Sequence, residues 1–254
     1  MTEALSKTQE LQSPPSTHRL LGRRIVVTGA ASGIGRSTAQ LFASEGASVA
    51  LFDRDERGVQ ATAEQTNGHG FTVDISNEKA VADAVERAGA ALGGIDGVVN
   101  AAGIMFRGLA ADVPAADWRQ VLEVNLTGAY IVLRSCIPWM LREQTATVVN
   151  IASAQGLLPN APGYTAYAAS KGGVINLTRA LAAELAPKVR VNSVCPGMVD
   201  TAMADGHRHN VGSYALNRLA DPVEIARAIL FLTSAESSYV TGAALATDGG
   251  RVFH

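Results

Sequence analysis

Tyr167 and Lys171 stand four residues apart in a stretch whose apolar spacing predicts a helix. That spacing brings both side chains to one face, about 6 Å apart along the axis. A free phenol titrates near 10, about three units too high for a base at neutral pH. An ammonium beside it stabilises the phenolate and lowers that value. The pair can therefore act as a proton-transfer unit, although Tyr and Lys at this spacing also occur on solvated helix faces. Tyr164 is a competing phenol, but its partner position holds Ala168, which carries no charge. Ser153 follows the apolar run that ends at Ala152. A hydroxyl beyond the carboxyl end of a strand can hydrogen-bond a carbonyl oxygen and the alkoxide developing on it. Asn125 falls inside a predicted helix, where amides are disfavoured, so solvent exposure is its plain alternative reading.

A second set of residues has the types that hold phosphate. The run Thr28-Gly29-Ala30-Ala31-Ser32-Gly33-Ile34-Gly35 joins an apolar strand to a helix. Gly29 permits a sharp turn, and Gly33 and Gly35 remove side chains where a pyrophosphate and the sheet come close. The helix that follows offers free N–H groups and its positive dipole end. Asp53 lies 18 residues beyond Gly35, at the end of the second apolar run. An acid at an interval of about 20 accepts from the adenosine ribose hydroxyls and repels a 2′-phosphate. Arg54 beside it can reach a phosphate. Asp53 also reads simply as an exposed loop acid.

These groups need a scaffold, and its elements are written along the chain. Continuous apolar runs predict strands at 24–28, 47–52, 70–73, 97–100, 147–151, 189–194 and 243–246. Helical spacing predicts helices at 34–45, 56–66, 77–91, 115–142, 166–186 and 222–234. Strands alternating with helices imply βαβ units and a parallel sheet. The expected fold is α/β: one doubly wound, seven-stranded parallel sheet with helices on both faces. The whole of residues 20–254 forms a single dinucleotide-binding catalytic domain. Residues 1–19, with Ser13-Pro14-Pro15-Ser16, read as a flexible tail.

Composition narrows the partners. The 254 residues carry a net charge of −2, which gives no electrostatic case for nucleic acid or a membrane surface. The N-terminus lacks the apolar core of a secretory signal, and no segment offers about 18 uninterrupted apolar residues. The two cysteines, Cys136 and Cys195, form no disulfide framework and no metal-ligand cluster. No metal is expected, and the chain reads as cytoplasmic.

Taken together, and in this order along the chain, Thr28–Gly35, Asp53, Asp74, Asn100-Ala101-Ala102-Gly103, Asn125, Ser153, Tyr167, Lys171 and Pro196-Gly197 resemble the short-chain dehydrogenase/reductase family, in its single-domain branch of about 250 residues. The resemblance covers residues 20–254 and implies a Rossmann fold. It implies Tyr167 as acid/base, Lys171 lowering its pKa and holding the nicotinamide ribose, Ser153 orienting the substrate oxygen, and Asn125 holding a proton-relay water. It also implies a cofactor site of Gly29, Ser32, Gly33, Ile34, Gly35, Asp53, Arg54, Asp74, Ile75, Asn100, Ala101, Gly103, Pro196, Gly197, Val199 and Thr201, shared with Tyr167 and Lys171. The usual Asn-Asn-Ala-Gly reads Asn-Ala-Ala-Gly here. The interval from Ser153 to Tyr167, 14 residues, is one longer than usual, which puts an extra residue in the loop 157–163.

The resulting expectation is an NAD-dependent oxidoreductase acting on a secondary alcohol or ketone, assembled as a homotetramer. The pocket is expected from residues 104–109, 154–163 and 198–214. There Met105, Leu157, Leu158 and Met203 mix with Arg107, His207, Arg208 and His209, which anchor a carboxylate or face solvent. The alternatives are an NADPH-linked 3-oxoacyl-(acyl-carrier-protein) reductase and a non-catalytic dinucleotide sensor.

Overall fold

Runs such as RIVVT and ATVVNI are apolar at every position, as a strand buried on both faces must be. In the computed structural model, which describes residues 18–205 and 210–252, these runs become a single seven-stranded parallel sheet. The strands are β1 (Arg24–Thr28), β2 (Ser48–Asp53), β3 (His69–Thr72), β4 (Gly97–Asn100), β5 (Ala146–Ile151), β6 (Val189–Pro196) and β7 (Ala244–Thr247). Their spatial order is β3-β2-β1-β4-β5-β6-β7. The order reverses between β1 and β4, which opens the crevice where doubly wound sheets bind ligands.

The helices are α1 (Gly33–Ser44), α2 (Glu56–Thr66), α3 (Glu78–Leu92), α4 (Ala115–Leu122), α5 (Ala129–Met140), α6 (Ala154–Leu157), α7 (Thr165–Leu185) and α8 (Pro222–Thr233). Alternate strand residues feed two cores. Val26, Phe52, Val98 and Val148 pack with Val85, Leu133, Met140 and Leu181 of α3, α5 and α7. Ile25, Val27, Leu51, Val99 and Val149 pack with Phe42, Ile225 and Ile229 of α1 and α8. Both faces of the sheet are thereby removed from water, the main source of stability in such a fold.

Two expectations change. The helix expected over 115–142 is interrupted: α4 and α5 are joined by a π-helical turn at Glu123–Gly128. One extra residue per turn barely alters apolar spacing, so periodicity cannot show it. The tail expected over 1–19 ends earlier at its inner side. Arg19 donates to Glu45, Nη2 to Oε1 at 2.6 Å and backbone N to Oε2 at 3.0 Å, and residues 1–17 lie outside the described residues. Among the described residues no helix is long and apolar enough to cross a membrane.

Candidate active site

Parallel register brings the carboxyl ends of the central strands to one edge. Asn100 of β4 lies opposite Asn150 of β5, which lies opposite Ser193 of β6. The chain leaving each strand at that edge carries Ala101–Gly103, Ser153 and Gly197 respectively. Below them the sheet edge is tied by buried amides. Asn100 Nδ2 donates to Asn150 Oδ1 at 3.0 Å, and Asn150 Nδ2 donates to Thr178 Oγ1 of α7 at 2.9 Å.

Ser153 is the N-cap of α6, its hydroxyl accepting from Gln155 N at 3.1 Å. This short helix lies against α7. A Cβ at Gly156 would stand 2.7 Å from the Lys171 carbonyl carbon, so only glycine permits that approach. Ser153 is thereby held beside the turn of α7 that carries Tyr167 and Lys171. Its hydroxyl hydrogen-bonds the Tyr167 phenol. Lys171 is 4 % exposed; its Nζ donates to Ile151 O at 2.7 Å and sits 5.7 Å from the centre of the Tyr167 ring.

Burial dominates the electrostatics of this cluster. It lowers Lys171 to about 8, against a smaller opposing influence from Cys195. It also raises the Tyr167 phenol, with the Ser153 hydrogen bond pulling the other way. The direction at Tyr167 is thus opposite to that expected of a tyrosine–lysine pair in water. Withdrawal from solvent disfavours the charged form of both groups.

Asn125 is 1 % exposed, not on a solvated face. Its Oδ1 accepts from Ile104 N at 2.8 Å; its Nδ2 donates to Ile104 O at 2.9 Å and to Ser170 Oγ at 3.0 Å. The side chain therefore clamps the backbone that follows Gly103, and it sits in the π-helical turn. Such turns commonly mark functional sites.

The dinucleotide side is built from the first turn. Gly29 has φ +67°, and a Cβ there would meet Ala102 N at 2.7 Å. Thr28 Oγ1 accepts from the N–H groups of Ala101 and Ala102, both at 3.1 Å, locking the turn after β1 to the loop after β4. Ser32 precedes α1 with no cap bond from its side chain, and the first turn of α1 has no acid. A helix N-terminus with neither a side-chain cap nor an acid fits a pyrophosphate. Asp53 closes β2, half-buried, and both its oxygens already hold backbone: Oδ2 accepts from Ala31 N and Oδ1 from Asp55 N, each at 3.0 Å. Arg36 donates to Ala31 O in the same turn.

A cavity of about 720 Å³ lies over this edge. Of the residues singled out in the sequence, Ile34, Ala101, Gly103, Ser153, Tyr167, Lys171, Pro196, Gly197, Val199 and Thr201 line it. Gly29, Ser32, Gly33 and Gly35 form the turn behind Ile34. Asn100 and Asn125 support the floor from beneath. Asp53, Arg54, Asp74 and Ile75 lie further along the edge, at the ends of β2 and β3. Asp74 accepts there from Ser76 N and Oγ, while Ile75 packs against Gly128. Of the pocket set, Met105, Arg107 and Met203 line the cavity. Leu157 instead packs against the small cluster around Ala152, and Leu158 is exposed. His207, Arg208 and His209 lie outside the described residues. Arg251 was not foreseen. It enters the cavity wall from the segment after β7, and its neighbours Asp248-Gly249-Gly250, a turn signal, were the only hint.

Three comparisons bear on this geometry. A family model described as enoyl-(acyl carrier protein) reductase matches residues 29–251. A 3-oxoacyl-(acyl-carrier-protein) reductase of Thermotoga maritima is 38 % identical, with 92 % of this chain and 99 % of that protein aligned. A 3-alpha-(or 20-beta)-hydroxysteroid dehydrogenase of Mycobacterium bovis is 37 % identical, covering 92 % of this chain and 91 % of its own. The crystal structure of a 3-ketoacyl-(acyl-carrier-protein) reductase from Brucella melitensis, complexed with NADH, superposes with a TM-score of 0.88. It is 35 % identical and covers 92 % of this chain and 99 % of that one.

Proposed function

The chain belongs to the short-chain dehydrogenase/reductase family of oxidoreductases, and on that premise we propose that it interconverts a secondary alcohol and a ketone using NAD(H), with Tyr167 as acid/base. The observation that carries the reading is the Ser153–Tyr167–Lys171 cluster, hydrogen-bonded and half-sunk in the wall of a cavity large enough for dinucleotide and substrate ends together. The dinucleotide, when bound, supplies or accepts the hydride. The Gly29–Gly35 turn, Asp53 and Thr201 are the residues that would hold it, together with Lys171 toward the nicotinamide ribose.

The protein's own groups handle the proton. A phenol held above its ordinary value is protonated at neutral pH and enters as donor to a carbonyl oxygen. Ser153 donates to the same oxygen, so charge developing there meets two donors. In the reverse direction Tyr167 loses its proton, and the Lys171 ammonium 5.7 Å from its ring favours the resulting phenolate. Proton transfer of this kind is worth about 10²–10⁴-fold. Asn125 acts one step back by fixing the Ile104 backbone beside Lys171. Assembly as a cytoplasmic homotetramer through α4, α5, α7 and the C-terminal segment 243–254 belongs to the same reading, and Tyr130 of α5 stands exposed for it.

The second reading is an NADPH-linked 3-oxoacyl-(acyl-carrier-protein) reductase. It is favoured by the name of the Thermotoga relative and by the engaged carboxylate of Asp53, with Arg36 and Arg54 nearby. A screen of NAD- and NADP-linked turnover over secondary alcohols, ketones and a 3-oxoacyl thioester separates the two. Turnover of the alcohols with NAD supports the first reading. Turnover of the thioester alone, with NADPH, replaces it. Dinucleotide binding without any turnover makes the protein a sensor.

A further inference from the structure

We infer that Gln155 is a specificity-determining residue whose amide receives a second hydroxyl of the substrate, close to the carbon that reacts. The preferred substrate is then a diol or hydroxyketone rather than a simple alcohol or ketone. The inference rests on the dehydrogenase reading above, since it takes Ser153 and Tyr167 as the groups that hold the reacting oxygen.

The fold leaves a buried amide in the catalytic wall with nothing to bond. Gln155 lines the cavity that holds Ser153 and Tyr167 and is only 7 % exposed. Its Oε1 is shut off from solvent without a hydrogen-bond partner, and no described acceptor meets its Nε2. Other polar side chains of the same wall are engaged: Lys171 Nζ donates to Ile151 O, and Arg251 donates to Asn160 Oδ1. Much of the remaining wall is apolar, including Met105, Ala161, Pro162 and Met198. A buried polar group left unpaired costs about 1–3 kcal/mol, which is why such groups are rare. A ligand that supplies the missing partner removes that cost as it binds.

Gln155 is also held at the reacting end. Its backbone N donates to Ser153 Oγ at 3.1 Å. The next residue, Gly156, packs on α7 so closely that a Cβ there would stand 2.7 Å from the Lys171 carbonyl carbon. The backbone of Gln155 is thus fixed between the serine and the helix that carries Tyr167, and only its side chain is left to turn. The amide lies within one side chain's length of the backbone N that bonds the Ser153 hydroxyl. A half-turn of the amide exchanges its carbonyl and its NH2, so the end that meets the cavity is a donor or an acceptor. A hydroxyl matches both states, whereas a carbonyl matches only one. The group received is therefore a hydroxyl a few bonds from the reacting carbon.

The test compares butane-2,3-diol and pentane-2,4-diol with butan-2-ol and pentan-2-ol, using the full chain with NAD and with NADP. The expected result is kcat/KM for at least one diol about tenfold or more above its mono-alcohol, the scale of one hydrogen bond to an unpaired amide. That exceeds the statistical advantage of a second identical hydroxyl. In Gln155→Met, which keeps the length of the side chain and removes its polarity, the ratio is expected to fall toward one, mainly through the diol's KM. Calorimetry of the same variant without substrate should give a Tm equal to or above that of the unmodified protein, because an unpaired amide leaves the wall and no hydrogen bond is lost. A Tm lower by several degrees would make Gln155 a structural residue and refute the inference. Mono-alcohols turned over as well as the diols, or a ratio unchanged in Gln155→Met, would overturn it and leave the dehydrogenase reading standing. Should none of the four react, the wider screen above decides the dehydrogenase reading, and Tm shifts at saturating coenzyme decide the role of Gln155. A diol shift that exceeds the mono-alcohol shift and is lost in Gln155→Met supports it, and equal shifts refute it.

Discussion

Replacing Lys171 by Met probes the buried charge at the centre of the cavity edge. Lys171 is 4 % exposed, and burial brings it from 10.5 to about 8. The native protein then releases this proton near pH 8, while the unfolded chain keeps it to above pH 10. Between those values the unfolded state binds more protons, so this group makes stability rise with pH. The full span corresponds to roughly 3 kcal/mol, and about a third of it is gained between about pH 7.5 and about pH 9. The buried thiols work against it: burial raises Cys136 to about 12 and Cys195 to about 11, so their contribution to stability falls as pH rises through 9. Measuring wild type against Lys171→Met removes the Cys136 contribution, and most of that of Cys195, whose thiol stays protonated in the native protein across this window. Urea unfolding followed by tryptophan fluorescence, at matched pH values, gives the difference directly. Wild type should gain about 1 kcal/mol on the variant across that window. Parallel curves, or a wild type that loses ground, would refute the argument that desolvation governs Lys171.

Asn125→Ala removes three hydrogen bonds of a buried side chain, two of them to the Ile104 backbone; a loss of about 3 kcal/mol, or roughly 8 °C in Tm, is expected. A shift below about 2 °C by calorimetry would show that the clamp is dispensable. For the coenzyme, kcat/KM with NAD is expected at least about 10²-fold above NADP, because a 2′-phosphate would meet the Asp53 carboxylate. Asp53→Ala should narrow that gap by improving NADP, and should also cost about 1–2 kcal/mol because Ala31 N and Asp55 N lose their acceptor. Equal use of both coenzymes by the unmodified protein would overturn the role given to Asp53 and favour the carrier-protein reductase.

The sheet was readable from sequence because strands buried on both faces are continuous apolar runs. The expected β1 and β4 match the observed bounds, and the other strand ends move by at most two residues. The order of motifs likewise carried the family. Groups whose role depends on their neighbours across the fold were not readable. Asn125 could as well have been exposed, since nothing in its own helix shows that Ile104 folds back on it. The proton affinity of Tyr167 followed from spacing alone in the wrong direction, because spacing says nothing about burial. Asp53 looked like a free carboxylate until the turn carrying Ala31 was seen to close on it. Arg251 is far from every other lining residue of the catalytic cluster in sequence, and only the pairing of β7 with β6 brings its segment to the cavity.

The central claim is that the Tyr167 phenol moves the proton while the rest of the cluster positions it. Tyr167→Phe keeps the ring and removes only the hydroxyl. With the best substrate from the coenzyme screen, its kcat should fall at least about 10²-fold, while dinucleotide affinity and Tm stay near those of the unmodified protein. A variant that folds, binds the dinucleotide and retains more than about a tenth of the activity would contradict the account, since that loss is smaller than a missing acid/base produces.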